Sequence, residues 1–209
     1  AGEVDPISGL PKDCKSRFHC DSSLRSLLSK EEVRLQEEDH FFLEQMESYL
    51  DYNNSIAYQI AATIDDKHRL WCADEVKRCQ IHSTSFATTV QRLLYYAAQE
   101  KVGGAQEHID RCFISNHSGD QGGKLEAWID GGWENISPPP GKSVVFFGSK
   151  CLWVTRGKKQ PLLHRSTTEV GEVRTAAVHF SQVRIRDYEL RNSAVALSDY
   201  DRDFKARAL

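Results

Sequence analysis

The sequence predicts a mainly β protein: a double-sheet jelly roll (a double-stranded β-helix) supported by N-terminal helices and closed by a C-terminal helix. Two changes of pattern predict it. Before about residue 65, apolar side chains recur at helical spacing. After about residue 80, short segments rich in β-branched and aromatic residues alternate with Gly, Pro and Asn turns. Helices first and many short strands afterwards are what a two-sheet β domain packed on helices produces. The chain then divides into a lead-in and helical support over 1–85, a jelly-roll core over 86–185 and a C-terminal helix over 186–209, within one structural domain.

Residues 1–28 lack periodicity and read as a loosely structured lead-in. Ser29 with Glu32 three residues on forms a capping box. Beyond it Phe42, Leu43, Met46, Tyr49 and Leu50 fall on one helical face, and Ile56, Ile60 and Ile64 extend the stripe. This predicts one long helix, or two in succession, across 30–65, with Asp51-Tyr52-Asn53-Asn54 either interrupting it or lying on its wet face.

Thr88–Tyr96 reads as a strand with Val90, Arg92, Leu94 and Tyr96 on one face. Further strands are expected at Glu107–Phe113, Leu125–Ile129, Trp133–Ile136, Ser143–Phe147, Leu162–Thr167 and Arg174–Phe180. Lys101-Val102-Gly103-Gly104 is a turn, Asp130-Gly131-Gly132 a hairpin signal, and Pro138-Pro139-Pro140-Gly141 a rigid turn. Ser198–Ala208, with Tyr200, Phe204 and Ala206 among charges, is the closing helix.

Composition narrows the function. The chain has 209 residues, 40% of them hydrophobic and 27% charged, ordinary proportions for one globular domain with a sizeable core. A net charge of -3 without a long basic run disfavours a nucleic-acid partner. The longest apolar runs, such as Ser143-Val144-Val145-Phe146-Phe147, are too short to span a bilayer, and no signal-peptide pattern opens the chain. Cys14, Cys20, Cys72, Cys79, Cys112 and Cys151 contain no C-x-x-C pair and fit neither a zinc site nor a dense disulfide framework. Free thiols in a reducing compartment, with the cytoplasm as the location, are expected.

The chemistry-bearing constellation is His108-Ile109-Asp110, followed by His164 and, ten residues later, Arg174. On a strand, His108 and Asp110 share a face and make a two-ligand claw. Two excursion turns later, His164 on another strand can return beside them. Two imidazoles and a carboxylate suit one face of an octahedral Fe(II), with Mn, Co or Ni also able to bind. A competing pair, His117-x-x-Asp120, lies in a Ser/Gly/Asn-rich segment read as a loop, which offers no common inward face. Arg174 shares its strand face with Ala176, Val178 and Phe180. An arginine on an apolar face needs a buried partner, and a carboxylate gripped bidentately would serve.

These residues resemble the Fe(II)- and 2-oxoglutarate-dependent dioxygenases, and within them the isopenicillin N synthase-like branch. The resemblance covers roughly residues 90–180 and extends to the closing helix. It runs without a gap from Gly148 through Thr155, Gly157, His164 and Arg165, and includes Leu125–Trp128, Asp130, Gly132-Trp133 and Pro140-Gly141. Arg92-Leu93-Leu94-Tyr95-Tyr96 resembles the strand before H-x-D, where the family often uses a tyrosine on the cosubstrate; Tyr96 is the matching position. The resemblance implies that His108, Asp110 and His164 bind iron and that Arg174 binds the C5 carboxylate of 2-oxoglutarate. It implies an O2-consuming oxidation, usually a hydroxylation, of a small-molecule substrate, with release of succinate and CO2.

Three departures stand out: Ala176 replaces the serine of the usual Arg-x-Ser, Arg111-Cys112 follows H-x-D, and the family is typically longer at the N-terminus. The chain is thus either a compact member or incomplete at that end. The alternative from another class is a noncatalytic jelly-roll binding or scaffold module that retains the motif. Phe113, Trp153 and Phe180 are candidates to line an active-site cavity.

Overall fold

A computed structural model of the chain describes residues 15–24, 28, 35–68, 72–81, 88–98, 104–155 and 157–184. Its elements in chain order are β1 (Lys15–Cys20), α1 (Glu37–His68), α2 (Cys72–Ile81), β2 (Val90–Tyr96), β3 (Ile114–Gln121), β4 (Gly123–Ile129), β5 (Gly132–Asn135), β6 (Ser143–Phe147), α3 (Ser149–Val154), β7 (His164–Thr168) and β8 (Arg174–Ser181). The strands form two antiparallel sheets, in the orders β1-β2-β8-β3-β6 and β5-β4-β7. The jelly roll is therefore present, with a cavity between the sheets.

α1 is one helix and runs through Asp51–Asn54. Glu37, Glu38 and Asp39 oppose the positive end of its dipole, and Asp39 Oδ2 accepts from the Gln36 backbone N–H at 2.9 Å, half of a capping box. Leu43, Met46, Leu50, Ala57, Ala61 and Ile64 make its buried stripe, whereas Phe42 is exposed. Asp51 and Tyr52 lie on the wet face, but Asn53 is buried. Its amide donates to Gln91 Oε1 at 3.0 Å, and its Oδ1 accepts from Asn116 Nδ2 at 2.7 Å. These bonds link the helix to a polar row on the outer face of the larger sheet. Further along α1, Ala57, Ala61 and Ile64 join Val76 of α2 and Phe113, Ile114, Cys151 and Val183 in one apolar cluster. Asp65 caps α2, accepting from the Cys72 and Ala73 amides at 2.7 Å each.

The β4–β5 hairpin turns on Asp130-Gly131, whose φ values of 49° and 89° are both positive, the type I′ geometry that matches strand twist. Lys142 N–H closes the Pro-rich turn on the Pro139 carbonyl at 3.0 Å.

Several expectations need correction. Lys15–Cys20, read as lead-in, is an edge strand paired along its length with β2; its charged, weakly alternating sequence hides it. The segment around His117 and Asp120, read as a loop, is β3, a central strand between β8 and β6. Its polar residues have buried polar partners, so it lacks an apolar pattern. Glu107–Phe113 is not a strand: only His108 pairs, through an isolated bridge to His164. The carbonyls of Asp110, Cys112 and Phe113 instead accept from the amides of Ser149, Lys150 and Gly148 at the start of α3. α2 and α3 go beyond the expected elements. The Ser29 capping box, residues 101–103 of the expected turn and the closing helix at Ser198–Ala208 lie outside the described residues. The five described cysteines, Cys20, Cys72, Cys79, Cys112 and Cys151, are buried free thiols. No described helix is long and apolar enough to cross a membrane.

Candidate metal centre

The bridge that replaces the expected strand builds the site. His108 N–H donates to the His164 carbonyl at 2.9 Å, and His164 N–H donates to the His108 carbonyl at 3.0 Å. Two residues that exchange both backbone bonds are direct cross-strand neighbours, so their side chains emerge side by side. The imidazole centroids are 4.4 Å apart. Asp110 follows in the loop and turns its carboxylate between the rings. Its Oδ1 lies 3.5 Å from His108 Nε2 and its Oδ2 lies 3.7 Å from His164 Nε2. One ligand atom from each residue falls within 4.8 Å of the others.

The surroundings orient these atoms. His108 Nδ1 lies 2.6 Å from the Gln106 carbonyl oxygen and His164 Nδ1 lies 3.2 Å from that of Leu162. A carbonyl only accepts, so each Nδ1 carries the proton and each Nε2 faces Asp110. Burial lowers the His164 pKa to about 4 against the upward pull of the Asp110 carboxylate, so this imidazole is neutral at pH 7. Its bare Nε2 lone pair therefore points at a carboxylate oxygen. Lone pair against lone pair is relieved by a cation between them, and the donor set fits Fe(II) on those grounds. Burial raises Asp110, but the His108 and then the His164 imidazoles, to the extent that they are protonated, and the Ser115 hydroxyl outweigh it, holding the carboxyl below the usual range. Phe146 packs on the His164 ring at 4.7 Å between centroids. Cys112 adjoins the site, but burial and then the Asp110 charge push its thiol far up, so it stays neutral. The His108 side chain is 44% exposed while those of Asp110 and His164 are 9% and 7%, so the cluster opens on one side only.

A loop can hold Asp110 this firmly because α3 starts against it. A Cβ on Gly148 would lie 2.3 Å from the Cys112 carbonyl oxygen and 2.8 Å from that of Asp110. Only glycine lets these segments approach.

The cluster sits in the wall of a cavity of about 630 Å³ between the sheets. Val90, Arg92, Leu94 and Tyr96 of β2 line it on the predicted common face, together with Arg174, Val178 and Phe180 of β8. Phe180 thus lines the cavity as anticipated; Phe113 and Trp153 do not, and Phe113 belongs to the apolar core.

Arg174 is fully buried and has a buried partner, but that partner belongs to the chain. Its Nε lies 2.8 Å from Asp120 Oδ1, and its Nη2 donates to Oδ2 at 3.0 Å. His117 Nε2 lies 3.3 Å from the same Oδ2, and the Tyr96 ring centroid is 4.9 Å from the guanidinium carbon. A loop would deny His117 and Asp120 a common inward face. A bulge in β3 supplies one: the β3–β8 register slips between Ser118 and Gln121, and Gly119 takes φ 62°. The pair serves Arg174 and lies outside the three-residue cluster. The readable trace of Asp120 is its position before Gly122-Gly123, since a Cβ on Gly123 would come 2.5 Å from Arg174 Cδ. The Arg174–Asp120 contact uses one edge of the guanidinium. Nη1 is buried with no hydrogen-bond partner and remains a donor at the cavity wall.

Residues 87–183 match the model of the 2OG-Fe(II) oxygenase superfamily. The barrel of this chain is similar to that superfamily over just under half of the chain. Fe(II) and 2-oxoglutarate give that superfamily its name, and the His-Asp-His group fits the first. Gibberellin 20 oxidase 2 of Oryza sativa subsp. japonica is 27% identical over 97 residues, which make up 45% of this chain and 25% of that protein. The match thus spans about a quarter of the length of that relative. A putative 2OG-Fe(II) oxygenase family protein from Caulobacter crescentus superposes with a TM-score of 0.65 at 21% identity, covering 87% of this chain and 62% of that one. The dioxygenase for auxin oxidation 1 from Arabidopsis thaliana, in its binary complex with 2-oxoglutarate, gives a TM-score of 0.62 at 17% identity, covering 82% and 63%. These structures share the jelly-roll fold with the barrel described above.

Proposed function

We propose that the protein is a non-heme Fe(II)- and 2-oxoglutarate-dependent dioxygenase that oxidises, by hydroxylation, a small organic substrate. The observation that carries this reading is the convergence of His108 Nε2, Asp110 and His164 Nε2 at the wall of the cavity. In the proposal these three residues hold the iron. With metal and cosubstrate bound, the site supplies oxidative decarboxylation of 2-oxoglutarate to succinate and CO2, coupled to transfer of oxygen from O2 to the substrate.

The chain's own residues do the rest. The carbonyls of Gln106 and Leu162 fix the tautomers of the two histidines, so that both offer the Nε2 lone pair. The Ser115 hydroxyl donates to Asp110 Oδ2 and holds the carboxylate rotamer. Asp120 orients Arg174 through Nε and Nη2, leaving Nη1 to receive the distal carboxylate of the cosubstrate. Tyr96, packed against the guanidinium, borders the same place. Val90, Leu94, Val178 and Phe180 provide apolar wall that excludes water from the reacting groups.

The assay is O2- and Fe(II)-dependent conversion of 2-oxoglutarate to succinate by the full chain and by His108→Ala. Turnover in the wild type that falls by about 10²-fold or more in the variant supports the reading. Equal, iron-independent turnover in both overturns it.

A further inference from the structure

The iron ligands and Arg174 leave three cavity arginines without a role: the exposed Arg111, which follows Asp110, and Arg17 and Arg92 on the neighbouring strands β1 and β2. Along β2 the alternation that turns Val90, Leu94 and Tyr96 inward also turns Arg92 inward. β1 adds Arg17, which pairs with Leu94 in register while His19 pairs with Arg92. Paired residues share a face, so Arg17 reaches the same wall, next to Arg92 on the diagonal. Arg92 is half-buried, and its guanidinium carbon lies 4.8 Å from the Phe180 ring centroid. Its Nε is buried without a hydrogen-bond partner.

Among the described residues, neither Arg17 nor Arg92 has a carboxylate at ion-pair distance, in contrast to Arg174 with Asp120 and Arg165 with Glu126. Burial and then the Arg17 charge work against the charged form of Arg92, and the carboxylate that favours it is Asp110. Once Asp110 is neutralised by a divalent cation, that compensation is gone. Half-buried Arg92 and exposed Arg17 then face the cavity as like charges with no counter-ion from the chain, an arrangement that an anionic ligand relieves. The pair adjoins the metal ligands, so a molecule anchored there presents its body to the reacting position.

We infer that Arg92 and Arg17 bind an oxyanion, a carboxylate or a phosphate, carried by the substrate. This rests on the oxygenase reading above and adds to it the chemical class of the substrate: a small molecule with an apolar body and an anionic end.

The test uses the full chain loaded with Mn(II) and 2-oxoglutarate. Phenylacetate and phenyl phosphate serve as anionic probes and phenylacetamide as the neutral control. Calorimetry reads affinity, and Mn(II)-induced broadening of probe proton resonances reads proximity to the metal. At least one anion binds about tenfold or more tighter than the amide and is broadened. Arg92→Gln and Arg17→Gln each reduce that preference, the double variant abolishes it and Arg92→Lys retains most of it. Affinity for 2-oxoglutarate stays within about twofold throughout.

Equal binding of anions and amide to the wild type overturns the inference, as does a preference that survives in the double variant. A loss of about tenfold in 2-oxoglutarate affinity in Arg92→Gln also overturns it, by assigning the arginine to the cosubstrate. If Mn(II) itself fails to bind, the metal reading fails separately. Calorimetry of the same probes with the metal-free chain then still decides what the arginines prefer.

Discussion

Asp120 and Arg174 show what a buried charge asks of its neighbours. An arginine on an apolar strand face must find an acceptor, and the chain supplies it from β3 rather than leaving it to a ligand. Removing one partner of a buried pair leaves the other uncompensated, so Asp120→Asn is expected to cost about 3 kcal/mol in urea unfolding. His117, Arg174 and the Arg174 charge hold the Asp120 carboxyl below its ordinary range despite the upward push of burial. A depressed carboxylate contributes stability that is complete above its unfolded pKa, roughly 3.9, and is lost as pH falls through the folded value. Asp120→Asn should therefore flatten the acid limb of stability against pH.

Two of the buried histidines, His164 and His179, act at higher pH. Burial lowers both His164 and His179 from 6.5 to about 4. Between those values the unfolded chain binds protons that the folded chain refuses, so metal-free stability falls as pH drops from about 6.5 to about 4. Denaturation midpoints across that range test it; a flat profile contradicts it. At this scale the sequence shows His108, Asp110 and His164 through their spacing. It conceals Asp120, because an i, i+3 pair reaches one strand face only through a bulge.

At the scale of elements, strands announced by alternation or by turn chemistry were legible. Ser143–Phe147 is β6 to the residue, and Asp130-Gly131 closes the β4–β5 hairpin. Elements whose partners are polar were not. β1 is a charged edge, and β3 satisfies Asn116, His117 and Asp120 with buried partners in place of apolar contacts. The expected strand through His108 and Asp110 fails because its carbonyls are taken by the α3 amides. Those bonds and the close approach at Gly148 hold the Asp110 loop. Gly148→Ala forces a Cβ into two carbonyl oxygens, and it is expected to cost about 1–3 kcal/mol and to weaken Mn(II) binding more than a surface Gly→Ala does. Denaturation and metal titration of the same variant check both effects; unchanged metal affinity with an intact fold would remove Gly148 from the account.

Over the whole molecule, the larger sheet is held on one face by α1 through the Asn53, Gln91 and Asn116 bonds, and its other face lines the cavity. Helix and barrel share one apolar cluster from Ala57 to Val183. The helical support thus stiffens the sheet that carries Arg92, Tyr96 and Arg174, while the smaller sheet carries His164 and, by its bridge, His108. The candidate metal centre lies where the two meet, which is why residues far apart in sequence become neighbours. Calorimetric titration of the metal-free chain with Mn(II), then with 2-oxoglutarate, tests this most directly. The account predicts one Mn(II) per chain, 2-oxoglutarate binding that depends on it, and loss of both in His164→Ala and Asp110→Ala. Mn(II) uptake that is absent, or that survives both substitutions unchanged, would contradict it.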